Sequence, residues 1–248
     1  MLVAADVRPI QELEIRMLDG IDDFQKAEQI QQETWGYGDR DIVPASIFSV
    51  ARNFGGQTIG ALDGERMVAF ALSFGALDGG HAHLHSHMVG VVPEYQNAGL
   101  GRRMKLAQRD DALTRGIDQI MWTFDPLQVR NAYFNLVKLG GIVVRYIPNL
   151  YGMTSSPLHG GIPTDRLLIE WNLASARVVD SLAGKPRESA SKAVSVSIPS
   201  GSPSVALVER LAGQTALREQ MLSLFNEGYT VTGFANEDGS ARYILEKP

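Results

Sequence analysis

Val91 to Leu113 reads VVPEYQNAGLGRRMKLAQRDDAL, and this stretch decides the fold. An apolar strand end, HMVGVV, meets Pro93 and then the loop Gln96-Asn97-Ala98-Gly99-Leu100-Gly101, and an amphipathic helix follows directly. Gly99 and Gly101 remove Cβ atoms where a backbone turns tightly or approaches a ligand closely. The amides of Ala98 to Arg102 then point outward from a helix N-terminus, where the dipole favours an anion. Arg102 and Arg103 add positive charge beside them. Read physically, this is a pyrophosphate cradle; the plainer alternative is a glycine-rich turn before a surface helix. Other phosphate loops fit less well, because GxGxxG is absent and no GKS or GKT supplies a Walker lysine.

Working outward, Glu14 to Leu18 reads as a strand, and Asp22 is expected to cap a helix with Phe24, Ala27, Ile30, Gln31 and Trp35 down one side. Pro44 suits the first residue of a second helix through about Arg52. Gln57 to Leu62 and Met67 to Phe74 form a hairpin around Asp63-Gly64, and a third strand runs from about Ala82 to Val91. Ile117 to Phe124 (strand), Asn131 to Lys138 (helix), Ile142 to Tyr146 and Arg166 to Trp171 (strands) follow. The expected order is strand, two helices, three antiparallel strands, helix, strand, helix, strand, strand.

The spacing Q-x-x-G-x-G in that setting resembles the coenzyme A loop of the GCN5-related N-acetyltransferase (GNAT) superfamily, and NAYFNLVKLGG resembles the family helix ending in K-x-G-F. The blocks VPASIFSVARNFGG, LHSHMVGVVPEYQNAGLG, WTFDPLQVRNAYFNLVKLGG and PTDRLLIEW are similar to those of a little-characterised bacterial group of acyltransferases with a C-terminal extension. The resemblance implies an α/β (α+β) fold, a mixed, mostly antiparallel central sheet flanked by helices, with a small α/β extension. It places an acyltransferase domain at 12–173, a linker and edge strand at 174–203 and a helix-hairpin extension at 204–248. It also implies acetyl-CoA, or another acyl-CoA, as cofactor, held by Val89, Val91, Val92, Gln96, Asn97, Ala98, Gly99, Leu100, Gly101, Arg102, Asn131 and Tyr133.

Composition bounds this without choosing it. The 248 residues carry no cysteine, 44% apolar residues and a net charge of −5. Disulfides, thiolate nucleophiles and Cys-based zinc sites are excluded, and a cytoplasmic setting is expected. The acidic balance gives no global attraction to nucleic acid. No apolar run is long enough to cross a bilayer, and the start MLVAADVRPIQELEI has no secretory pattern, so no membrane partner is expected.

For proton transfer the chain offers His81-Ala82-His83-Leu84-His85-Ser86-His87. Alternate side chains of a strand share a face, so four imidazoles could line up. Counted back from the loop, His85 and His87 fall where arylalkylamine N-acetyltransferases carry a His-x-His proton relay; the resemblance implies His87 first and His85 second as base, against polar side chains simply lining a strand. The same row with Asp78 or Asp125 invites a metal, but acyl transfer needs none and His159 stands alone, so no metal is expected.

Backbone amides of Val89 to Val92 are expected to polarise the thioester carbonyl. Leu136 stands where many family members carry a thiolate-protonating tyrosine; Tyr133, at i−3 on roughly the same face, is the substitute, with aromatic packing as its alternative. Asn131 is expected to start its helix. Asp125 either binds a cationic acceptor or starts the Pro126 turn. Arg166 either holds an acceptor carboxylate or makes a surface ion pair. Trp35 and Tyr37 either line the acceptor pocket or pack.

The extension has a Ser, Ala, Gly, Pro and Lys-rich connection at 181–203 in which VSVSIP reads as an edge strand, a helix over Ala206 to Phe225 and a hairpin of Tyr229 to Phe234 with Arg242 to Leu245. It is too small to bury its own core and is expected to dock on the main domain or on a partner subunit, leaving a homodimer open. The function expected is an N-acyltransferase, acetyl by default, acting on the amine of a small molecule or amino acid by direct transfer. The alternative class is a non-catalytic acyl-CoA-binding module.

Overall fold

The structure, a computed structural model, describes residues 8–38, 41–152, 161–186, 192–202, 204–237 and 239–247. The chain divides into two compact units, Met1–Ile120 and Met121–Pro248.

In the first unit, β1 (Glu14–Met17), β2 (Gln57–Asp63), β3 (Arg66–Asp78) and β4 (His81–Val91) lie in sequence order, every pair antiparallel. The helices are α1 (Ile21–Trp35), α2 (Ala45–Asn53) and α3 (Leu100–Thr114). β2 is buried from Gln57 to Leu62, a run rather than an alternation, which suits a strand covered on both faces. Phe24 and Ala27 of α1 and Phe48 of α2 join Phe70 of β3 in the core. Phe48 meets Phe70 edge-on at 5.7 Å, and Trp35 meets it at 5.6 Å.

Two local expectations change. Gly20, at φ +83°, takes the cap position of α1, so Asp22 sits exposed inside the first turn. Asp23 does the polar work instead, accepting two bonds from the Arg16 guanidinium (2.5 and 2.9 Å) and one from the Asp19 amide (3.1 Å). Pro44 is the cap of α2, not its first residue; Glu28 Oε2 accepts from the Ala45 amide at 2.6 Å. The buried Gln31 amide bonds both backbone groups of Val43 at 2.8 Å, tying α1 to the entry of α2.

The second unit has β5 (Gln119–Phe124, across the division), α4 (Val129–Tyr133), β6 (Ile142–Ile147), β7 (Arg166–Asn172), α5 (Ala176–Leu182), β8 (Val194–Ser197), α6 (Leu207–Asn226), β9 (Thr230–Glu237) and β10 (Ser240–Glu246). Its strand order is β5-β7-β6-β9-β10-β8. The C-terminal segment joins by strand addition: β9 lies antiparallel to β6, with Val231 opposite Val143, and β10 and β8 extend outward. β8 is the edge strand that the alternation of VSVSIP implies. Tyr243, fully buried, donates to the Pro126 carbonyl at 2.8 Å, and Gln214 of α6 donates to that of Pro163 at 2.8 Å.

Sequence periodicity does not reveal α5, which Ser175 caps by accepting from the Val178 amide at 3.3 Å. Arg177 of α5 then donates to the carbonyls of Gly140 (2.8 Å), Gly141 (3.1 Å) and Thr232. The helix expected from Asn131 starts instead at Val129 and widens into a π-helical turn over Phe134–Lys138, where the Leu139 amide reaches back five residues to Phe134.

Candidate functional site

The strand that enters the loop is held by β3 in a register that identifies which of its backbone groups that ladder uses. The Val92 amide donates to the Val68 carbonyl at 3.0 Å, so that group serves the ladder and is not available to a ligand. Val91 pairs with Ala69 and Val89 with Ala71; by the alternation of antiparallel bonding, the backbone groups of Val89 and Val91 point away from β3. The Val91 carbonyl is taken by the Gln96 side-chain amide at 2.9 Å, which clamps the loop to the strand.

The loop itself is strongly bent. Asn97 has φ 61° and Gly99 φ 94°, both left-handed, and Gly99 is the cap residue of α3. Gln96 to Gly99 are exposed, whereas Leu100 is fully buried and anchors the turn. The first backbone bonds of α3 run from the amides of Arg102 (3.1 Å) and Arg103 (3.2 Å) to the Gly99 carbonyl, leaving those of Leu100 and Gly101 ahead of them at the tip. A Cβ on Gly101 would meet nothing within 4 Å, so nothing within the chain excludes a side chain there. Bare backbone amides, an open approach and half-buried Arg102 fit the diphosphate of a coenzyme A.

The decisive feature lies four residues upstream of Val91, the last residue of β4. Leu72 pairs with Met88 and Ser73 with Ser86, so His87 has no partner on β3 and is the extra residue of a β-bulge. His87 is exposed, with its ring 5.4 Å from that of Phe74 and 6.3 Å from that of His85. Desolvation by the surrounding protein lowers the pKa of both; His85, half-buried and repelled also by His87, His83 and Lys105, falls to about 4. The row of four is uneven in exposure: His83 is buried, and His81 pairs with Asp118 at 3.1 Å. Among the described residues no group of three or more His, Asp or Glu could hold a metal; His159 lies outside them.

Asn131 and Tyr133 belong to the second unit, on α4. Asn131 is exposed and third in the helix, not its cap. Tyr133 is 42% exposed and Leu136 2%, so the two do not share a face; the wide π turn that begins at Phe134 breaks the 3.6-residue spacing. The Tyr133 ring packs edge-on to Phe234 at 6.0 Å, with Lys138 Nζ 5.4 Å from its centroid. Asp125 starts the Pro126 turn, its carboxylate accepting from the Leu127 amide at 2.8 Å. Arg166 lies 5.2 Å over the Tyr151 ring, and Trp35 packs on Phe70 and 5.1 Å from Tyr37.

Two site-shaping residues escape periodicity. Gly90 must lack a side chain, since a Cβ would lie 2.6 Å from Phe70 Cε1 and 3.1 Å from Trp35 Cη2. Ser86 is buried beneath the bulge, and only the polar interruption of an apolar strand hints at it.

A four-stranded antiparallel array whose last, bulged strand runs through a glycine loop into a helix is the core of the GNAT acetyltransferase fold. Solved structures agree. The ribosomal-protein-S18-alanine N-acetyltransferase of Escherichia coli is 19% identical, with a TM-score of 0.52 over 66% of this chain and 96% of its own. The Salmonella typhimurium protein yncA with its cofactor acetyl-CoA is 17% identical, with a TM-score of 0.54 over 66% and 95%. Aminoglycoside 6'-acetyltransferase type Ii is 19% identical, with a TM-score of 0.51 over 65% and 98%. No curated protein matches the chain in sequence. Residues 21–135 match the model of the Acetyltransferase (GNAT) family. Among the described residues no helix is long and apolar enough to cross a membrane.

Proposed function

We propose that this protein is an acyl-CoA-dependent N-acyltransferase that moves an acetyl group directly to the amine of a small molecule or amino acid. The carrying observation is the bulge that frees His87 beside His85 on the strand entering the glycine loop. Acetyl-CoA supplies an acyl group activated as a thioester, with the thiolate as leaving group. The backbone of Val89 and Val91, the amides of Ala98 to Gly101 and the Arg102 side chain hold the donor, as does Asn131 in this reading. His87 takes the proton that the acceptor amine loses as its nitrogen bonds to the acyl carbon. His85, neutral well below pH 7, is too weak a base to take that proton itself but can accept a hydrogen bond in the relay. Tyr133, exposed on α4, is the group we assign to return a proton to the departing thiolate.

The neighbours support the donor and leave the acceptor open: one is solved with its cofactor acetyl-CoA, one is an aminoglycoside acetyltransferase and one a ribosomal-protein-alanine acetyltransferase. Calorimetric titration of the purified chain with acetyl-CoA, succinyl-CoA and CoA tests the reading. Saturable one-to-one binding is expected, tightest for the donor used, and thiol release then screens amines. Failure to bind all three would overturn it.

A further inference from the structure

A buried polar network lies beneath the histidine strand. Lys105 and Gln108 of α3, Ser73 of β3, Ser86 of β4 and Gln57 of β2 are all 5% exposed or less. Lys105 Nζ donates to Ser86 Oγ at 2.8 Å, and Gln108 Nε2 donates to Ser86 Oγ at 3.1 Å and to Ser73 Oγ at 2.7 Å. Ser86 Oγ returns its proton to Gln108 Oε1 at 3.2 Å. Gln57 Nε2 closes the network on the Gln108 carbonyl (2.8 Å) and on Asp111 Oδ2 (2.7 Å). Ser73 and Ser86 face each other across the ladder at the last register before the bulge, so the bonds converge where His87 leaves it.

We propose that Lys105 is a positioning residue for the histidine pair: reaching from α3 it pins Ser86, fixes the bulge that turns His87 out of the ladder, and sets a cation behind His85. The inference rests on the acyltransferase reading for its purpose. Its geometry is independent of that reading.

A methionine would fill this buried space without desolvating an ammonium, which is costly even when hydrogen-bonded. The cost is visible in Lys105 itself, whose pKa burial lowers to about 7. A cation here has an electrostatic consequence. The charged or titratable groups acting on His85 are His87 and His83 from its own strand and Lys105 from α3. On α3, Asp111 carries Arg115 at 3.2 Å and reaches the network only through Gln57. Protonated Lys105 therefore opposes protonation of His85 and keeps that imidazole available as an acceptor. Lys105 also stands one helical turn beyond Gly101, so one short helix sets both the anion cradle at its tip and the histidines on the neighbouring strand.

The test is histidine NMR on the full chain as wild type, K105M and S86A. Titration of the Cε1–H signals reads the charge of His85, and the cross-relaxation between the Phe74 and His87 rings reads the bulge. We expect His85 in K105M to begin protonating at higher pH than in wild type, and the Phe74–His87 signal to be lost in both variants. A folded K105M that keeps the Phe74–His87 signal overturns the proposal, whatever His85 does. An unchanged His85 titration in that variant does so as well. Should K105M fail to fold, S86A decides alone: loss of the signal supports the pin and retention overturns it. Titrating the wild type with acetyl-CoA in parallel separates the two readings, because absent binding sinks the acyltransferase and leaves the NMR outcome standing.

Discussion

Arg218 grips the buried carboxylate of Asp165 with two parallel bonds, Nε to Oδ2 and Nη2 to Oδ1, each 2.8 Å. The Asp165 side chain is fully buried, and Tyr146 Oη (2.6 Å) and the Asn149 amide (2.9 Å) complete its shell. Arg218 lies on α6, in the C-terminal segment, and Asp165 immediately precedes β7, so one bidentate contact ties the segment to the strands it extends. Burial and the neighbouring Asp165 push the Tyr146 phenol far up, keeping it a donor.

Removing one partner of such a pair leaves a charge buried, which costs more than the pair contributes. Arg218→Met should therefore destabilise the chain by about 3 kcal/mol, read as a lowered urea midpoint at unchanged slope. A loss below about 1 kcal/mol would mean that β-pairing alone holds the segment.

Gly101 separates binding from stability. Its Cβ direction is empty, so Gly101→Trp should leave the melting temperature unchanged while weakening acetyl-CoA binding at least about 100-fold, measured by calorimetry. Equal binding by the variant would remove the loop tip from the donor site.

The histidine pair predicts a different separation. His85→Ala with His87→Ala leaves the loop intact, so acetyl-CoA should bind with little change, while acyl transfer falls by roughly 10² to 10⁴ if the pair supplies the base. Steady-state thiol release with an accepting amine checks this. Undiminished turnover would assign the base elsewhere.

Stability should also report on His85. In the unfolded chain it protonates near 6.5, whereas in the folded one it waits until about 4. Between those values the unfolded state binds the extra proton. The stabilisation is thus fully present above about pH 6.5 and is lost as pH falls towards 4. Between pH 7.5 and 5, wild type should lose about 1 kcal/mol more than His85→Gln, the figure being discounted because the ring is half-buried. Parallel losses in urea titrations at the two pH values would refute the shift.

The fold was legible where chemistry is local and periodic. The run HMVGVV, the two glycines and the 3, 4, 7 spacing of Phe24, Ala27, Ile30 and Gln31 each dictate an element from a few neighbouring residues, and each element stands where they put it. The features that shape the site are products of register and packing. Nothing in His-Ser-His-Met says that His87 loses its partner, because the slip is decided by Leu72 and Ser73 on another strand. Leu136 and Tyr133 read as neighbours on a regular helix, and the π turn at Phe134 separates them. Lys105 and Gln108 look like the solvated side of an amphipathic helix until Ser86 and Ser73 are placed opposite.

Gly90 carries the last prediction because its need is purely one of space. Its φ is not left-handed, so the backbone tolerates any residue. The obstacle is the Phe70 ring, 2.6 and 3.2 Å from the missing Cβ, with Trp35 at 3.1 Å. Neither aromatic can yield easily, since Phe70 is fully buried and packed on Phe48 and Trp35. Gly90→Ala should therefore cost about 1–3 kcal/mol through overpacking. The clash and its relief belong to the same atoms, so the two substitutions cannot be additive. Phe70→Leu opens a cavity and destabilises alone, yet in the Gly90→Ala background it should cost less than in wild type, because the leucine vacates the space the new methyl needs. Urea unfolding of the two single variants and the double variant measures that coupling. Additive losses would mean that the strand moves as a whole and that the Phe70 ring does not set its position.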